Sequence, residues 1–153
     1  MNRIKLTTLS LSAAALVSIA VHEGYRENAY VPVRNDTLTI GFGTTNNVKI
    51  GDKTDPVRAL IRLQEDVNKF ERSFRQCLGD VPLHQSEWDS LISWVYNVGP
   101  TAACNSSLVQ KLKAGDYAGA CKELDRWVYF QGRVLPGLAK RRAEERALCE
   151  SQH

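Results

Sequence analysis

The sequence predicts one α+β domain, mainly helical, with a small β-hairpin near the amino terminus. Three observations carry that expectation. A chain of 153 residues suits one domain with one core. Alternation with a turn-like polar centre is confined to residues 30–43, and from Asp55 onward apolar residues recur at helical spacing. Hydrophobic residues make up 43% and charged residues 24%, proportions that exclude disordered and collagen-like chains. The net charge of +3 is too small to specify a partner, although it suits an acidic polymer.

The chain opens with Arg3 and Lys5, after which residues 6–21 carry no charge. A basic flank before an apolar run directs the run into a membrane with its start on the cytoplasmic side. The run is short for a bilayer span, which needs roughly 17–25 residues as a helix. It is also diluted by Thr7, Thr8, Ser10, Ser12, Ala13, Ala14, Ala15, Ser18 and Ala20. Three readings follow: a signal peptide cut after Ser18-Ile19-Ala20, a permanent anchor, or an anchor weak enough to leave the membrane again.

Next, Tyr30-Val31-Pro32-Val33-Arg34 and Leu38-Thr39-Ile40-Gly41-Phe42-Gly43 flank a polar Asn35-Asp36-Thr37, the pattern of a hairpin. Asp55-Pro56 signals a helix start. Ala59, Leu60, Leu63, Val67, Phe70 and Phe74 then hold helical spacing to about Cys77, and Gly79-Asp80-Val81-Pro82 ends it. A second helix is expected from Ser86, with Trp88, Leu91, Ile92, Val95 and Tyr96 on one face, closing at Gly99-Pro100. Shorter helices are expected over 107–114, 117–129 and 138–149. Cys77, Cys104, Cys121 and Cys149 contain no C-x-x-C pair, so zinc-ribbon and thioredoxin spacings are absent. An even count behind an export signal points to two disulfides, and three connectivities satisfy four cysteines.

Glu23 directly follows the apolar run and precedes Gly24, the place for a carboxylic acid held protonated at a helix end. Glu23-Gly24, Tyr30 and Thr39-Ile40-Gly41-Phe42-Gly43 together closely resemble the phage-type lysozymes, glycoside hydrolase family 24. The resemblance continues through Trp94-Val95-Tyr96-Asn97-Val98-Gly99, Ser106-Ser107-Leu108-Val109, Lys113-Ala114-Gly115-Asp116-Tyr117 and Leu135-Pro136-Gly137-Leu138 with Arg141, Arg142 and Glu145. It implies a lysozyme-like fold and hydrolysis of the β-1,4 bond between N-acetylmuramic acid and N-acetylglucosamine in peptidoglycan. It further implies Glu23 as general acid, Thr39 beside the attacking water, and Tyr30 and Asn97 in contact with sugar. Arg141 or Arg142 would stand near Glu23 as a structural ion pair, or else form a solvated basic face.

One position departs from the family pattern: where an aspartate is usual stands Pro32, which does no acid–base chemistry. The carboxylate within the hairpin is Asp36, assigned here as the second catalytic group, with Glu27 in reserve and an Asn-Asp turn as the backbone alternative. The resemblance also bears on the apolar run. In this family the catalytic glutamate closes the first helix, and here only the run itself supplies that helix. Cleavage after Ala20 would remove it, so the favoured reading is a signal-anchor-release endolysin. Residues 1–21 would first anchor the enzyme to the inner membrane and then withdraw to become the first helix of a catalytic domain over 22–153, released to the periplasm. The expected partner is peptidoglycan, with transient membrane contact and no nucleic acid. No cofactor or metal is expected, since His22, His84 and His153 are scattered, and the chain is expected to act as a monomer. Pro32 sustains a non-catalytic peptidoglycan-binding module as one alternative. A lytic transglycosylase is the enzymatic rival, and a holin-like membrane-active protein would rest on the apolar run and Lys140-Arg141-Arg142.

Overall fold

The helix expected from the apolar run forms only in its second half. In the computed structural model, which describes residues 2–153, Leu6–Thr8 make a single 3-10 turn and helix α1 spans Ala13–Glu23. The boundary has a local cause. Ser12 places its Oγ 3.1 Å from the Ala15 amide that donates to it, the bond of an N-cap residue. Serine and threonine upstream compete with the helix for backbone partners. At the other end, Gly24 takes a positive φ of 72° and its N–H closes on Ala20 O at 3.0 Å. Glu23 is therefore the last residue of α1, as its place before a glycine predicts.

The chain divides into two compact units, Leu16–Lys69 and the remainder, up to Ala15 with Phe70–His153. In the first, strand β1 (Arg26–Tyr30) pairs antiparallel with β2 (Thr39–Gly41). Arg26 lies opposite Gly41 and Tyr30 opposite Thr39 with a shift between them, so β1 carries extra residues as a bulge. The hairpin stands as expected, but its first strand is earlier than Tyr30–Arg34. Pro32 has no N–H to give a ladder, and residues 31–38 form the connection. Ala29 N–H donates to Asp52 O and Thr54 N–H to Glu27 O, adding residues 52–54 on the other side of β1. Helix α2 spans Pro56–Leu78, capped by Asp55 Oδ1, which accepts from Arg58 N–H at 2.9 Å. Ile19, Ile40, Ala59, Leu63 and Val67 are buried here.

The second unit is built on α3 (Gln85–Val98), in which Ser86 through Val95 are all buried. A helix buried on every side is a core element. Phe74 packs against Trp88 and Trp94, and Trp94 stands edge-on to Trp127. Around α3 lie α4 (Pro100–Cys104), α5 (Ser107–Lys113), α6 (Tyr117–Glu123) and, past a β-hairpin, α7 (Pro136–Glu150). The helix expected over 117–129 stops early. Leu124–Arg126 tighten to a 3-10 turn. Then β3 (Tyr129–Phe130) and β4 (Arg133–Val134) pair antiparallel across Gln131 and Gly132, both at positive φ. A two-residue loop with that backbone matches the twist of a hairpin. The disulfides are Cys77–Cys104 and Cys121–Cys149.

Candidate active site

Three polar residues of the first unit follow from the hairpin. Glu23 is half-buried at the end of α1, Tyr30 is half-buried on β1, and Thr39 is buried on β2 opposite Tyr30. Thr39 Oγ1 donates to Thr37 O at 3.0 Å. Asp36 sits on the exposed connection, where its Oδ1 accepts from Thr37 N–H at 2.7 Å and its own N–H donates to Val33 O. The neighbouring Asn35 has φ 67°, so this is a side-chain-braced turn. Thr37 thus joins Asp36 and Thr39 through one residue. Glu27 lies exposed on β1.

In the second unit, Arg141 and Arg142 are buried, at 5% and 1% exposure, which overturns the expectation of a solvated basic face. Both serve Glu145, itself buried. Its Oε1 accepts from Arg141 Nε at 3.1 Å and from Ser93 Oγ at 2.7 Å, and its Oε2 accepts from Arg142. Arg142 also donates from Nε to Trp127 O at 2.9 Å and from Nη2 to Asn97 Oδ1. Arg141 Nη2 donates to Ser93 O. A buried ionic cluster of this kind fixes geometry wherever its partners are satisfied. Here it orients the exposed Asn97 amide, which lines a groove of about 590 Å³ together with Arg126, Trp127, Tyr129, Phe130 and Leu135, among others. Tyr129 and Phe130 were missed by reading 117–129 as helix. The signal for them was Gln131-Gly132, a turn dipeptide between short apolar runs. With Arg141 and Arg142 buried against Glu145, Lys140-Arg141-Arg142 is no basic surface for lipid.

The sequence model of a family described as phage lysozyme matches residues 20–145. The chain belongs to that family. It is 39% identical over 147 residues to an endolysin of Acyrthosiphon pisum secondary endosymbiont phage 1, covering 94% of this chain and 99% of the relative. A SAR-endolysin of Pseudomonas phage phiKMV is 33% identical over 141 residues, with 90% of this chain and 86% of the relative covered. Among solved structures, an endolysin from Escherichia coli O157:H7 phage FAHEc1 superposes with a TM-score of 0.82 at 30% identity, covering 95% of this chain and 96% of that one. Some relatives are longer: the chain spans 54% of an endolysin of Bacillus phage B103. Membership of the phage lysozymes makes this chain a glycosidase that hydrolyses peptidoglycan.

Proposed function

We propose that Glu23 is the general acid of this lysozyme, that Asp36 activates the attacking water, and that Thr39 holds that water. The observation that supports it is the position of Glu23, the last residue of α1, half-buried and fixed by the left-handed turn at Gly24. A helix end, closed by the turn at Gly24, restrains where the acid can point. Glycoside hydrolysis needs such an acid together with a second carboxylate. In an inverting enzyme the two lie roughly 6.5–9.5 Å apart, leaving room for water. Tyr30 and Asn97 are proposed to contact sugar, Asn97 in the orientation that Arg142 gives it. The bond cleaved is the β-1,4 link between N-acetylmuramic acid and N-acetylglucosamine.

The reading is tested on purified cell walls with Glu23→Gln, Asp36→Ala and Glu27→Ala, each first checked for folding. Glu23→Gln is expected to lower kcat by about 10²–10⁴-fold, the range for loss of a general acid. Asp36→Ala with near-normal lysis would move the second role to Glu27. A hydrated reducing end on the product agrees with hydrolysis, and an anhydro end would mean a transglycosylase.

We further propose that the amino-terminal segment is an anchor retained after release into the periplasm, as the SAR-endolysin name of the phiKMV relative suggests. Cutting after Ala20 would remove most of α1, which begins at Ala13. No helix among the described residues is long and apolar enough to cross a membrane. A periplasmic form that starts near Val21 would overturn retention.

A further inference from the structure

Residues 3–12 are held by the protein in a manner their composition does not announce. Leu6 and Leu9 are buried, at 5% and 3% exposure, yet the backbone around them makes no α-helix, only the single 3-10 turn Leu6–Thr8. Side chains of α2 and α3 supply the partners that a helix would have supplied. Arg75 donates to Leu6 O at 3.3 Å and to Leu9 O at 2.5 Å. Glu71 Oε2 accepts from Leu11 N–H at 3.0 Å and is itself held by Trp88 Nε1 and Arg75. Gln85 donates to Ser10 O at 2.8 Å. Asp89 accepts from both Ser12 N–H, at 2.9 Å, and Ser12 Oγ, at 2.6 Å. Further out, Ile4 and Leu83 exchange backbone bonds. Arg3 forks onto the buried Glu87 with contacts of 2.8 and 3.1 Å, its guanidinium 3.6 Å over the Tyr117 ring.

We infer that Glu71, Arg75, Glu87 and Asp89 form a docking site for the chain's own residues 3–12, and that filling it draws the anchor out of the membrane and keeps it out. The inference rests on the retained-anchor reading. In lipid every backbone group must be satisfied within the segment, which demands a helix through residues 6–12. In the docking site the same groups are satisfied from outside, which demands that the helix be open as far as Ser12. The two states exclude each other, so the segment has two discrete conformations and the site binds one of them. The energetics are one-sided. An empty site would leave Glu71 and Asp89 without the amides they now accept from, Glu71 keeping only Trp88 and Arg75 and Asp89 only Gln85 among the bonds described, and bonds to charged groups are the stronger ones to lose. A ligand shifts a two-state equilibrium only by its differential affinity. Here the differential contacts are the charge-assisted bonds to Leu6, Leu9, Leu11 and Ser12. The same docking sets the start of α1, because Asp89 positions the Ser12 that caps it.

The test uses the full chain expressed with its own amino terminus in Gram-negative cells, fractionated over time into membrane and periplasm. Asp89→Ala and Arg75→Ala alter the site; Ser12→Ala and Arg3→Ala alter the segment and leave α2 and α3 intact. Each is expected to raise the membrane-to-periplasm ratio, by about ten- to a hundredfold for a charge-assisted bond. The Ser12→Ala/Asp89→Ala double variant should fall short of the sum of the two single effects, because both remove the Ser12 Oγ–Asp89 bond, whereas unrelated losses of stability would add. In the soluble fraction, amide exchange at Ile4, Leu11 and Ser12 should speed up while the α3 core stays protected. If Asp89→Ala does not accumulate, Ser12→Ala decides. Wild type that enters and leaves the membrane no differently from the variants overturns the docking site alone. Wild type that is never found in the membrane overturns the anchor reading beneath it.

Discussion

Replacing Glu145 by alanine is expected to destabilise the protein by about 3–5 kcal/mol, the cost of breaking a buried ion pair from one side. The carboxylate is 4% exposed and lies between two guanidinium groups at 5% and 1% exposure. It accepts from Arg141, Arg142 and Ser93. Truncation leaves both cations in place without that neutralising charge, and solvent does not reach them to compensate. For a domain of this size roughly 2–4 °C of Tm follows each kcal/mol, so the melting temperature should fall by about 6–20 °C. The comparison is the Arg58–Asp55 pair, where the side chains are 78% and 51% exposed and loss of the pair should cost about 0–1 kcal/mol. Urea unfolding followed by circular dichroism, with calorimetry for Tm, measures both. Glu145→Gln keeps an acceptor for Ser93 and should fall between the two. A Glu145→Ala loss no larger than that of Arg58→Ala, which removes the exposed pair and keeps the Asp55 cap, would refute the reasoning, since it would mean that the arginines are solvated or paired as well without the carboxylate.

Three further outcomes follow from local geometry. Cys77→Ser/Cys104→Ser opens a loop with sequence separation 27 and should cost about 3–4 kcal/mol; the Cys121–Cys149 pair, at separation 28, should cost the same in parallel urea melts. Gly41→Ala forces a side chain at φ +63° with its Cβ 2.9 Å from that of Ala59, whereas Gly24→Ala at φ +72° meets nothing within 4 Å. The first should therefore cost more than the second, whose strain alone is about 1–2 kcal/mol, as denaturant midpoints will show. Glu123 has its carboxyl lowered from 4.5 to about 2, chiefly by the Lys111 hydrogen bond, against burial and with help from Ser107 and Arg126. Its folded pKa is depressed, so its contribution is complete above pH 4.5 and is lost as pH falls through about 2. Acid titration of wild type against Glu123→Gln should show the stability difference shrinking within that window.

Short-range chemistry explains the features that are legible along the chain. Asp55-Pro56 opens α2 because an aspartate accepts from an amide three residues on. Gly24 and Gly99 close α1 and α3 because each takes a positive φ. The motifs between Glu23 and Gly43, with those further along the chain, carry the resemblance to the lysozyme family, and Glu23 lies at the helix end that its neighbours predicted. The hairpin was legible too, although Pro32 moved its first strand. Other features depend on partners distant in sequence and emerge only once the chain is folded. Which of three disulfide pairings forms depends on where α4, α6 and α7 bring their cysteines. Arg141 and Arg142 look like surface charges until α3 and α7 bury them with Glu145. The apolar run illustrates the limit best: its residues would satisfy a continuous helix, as a membrane would require. Side chains some sixty to eighty residues away instead take over its backbone hydrogen bonds and start the helix at Ala13, because a backbone group accepts whichever partner the fold places within reach.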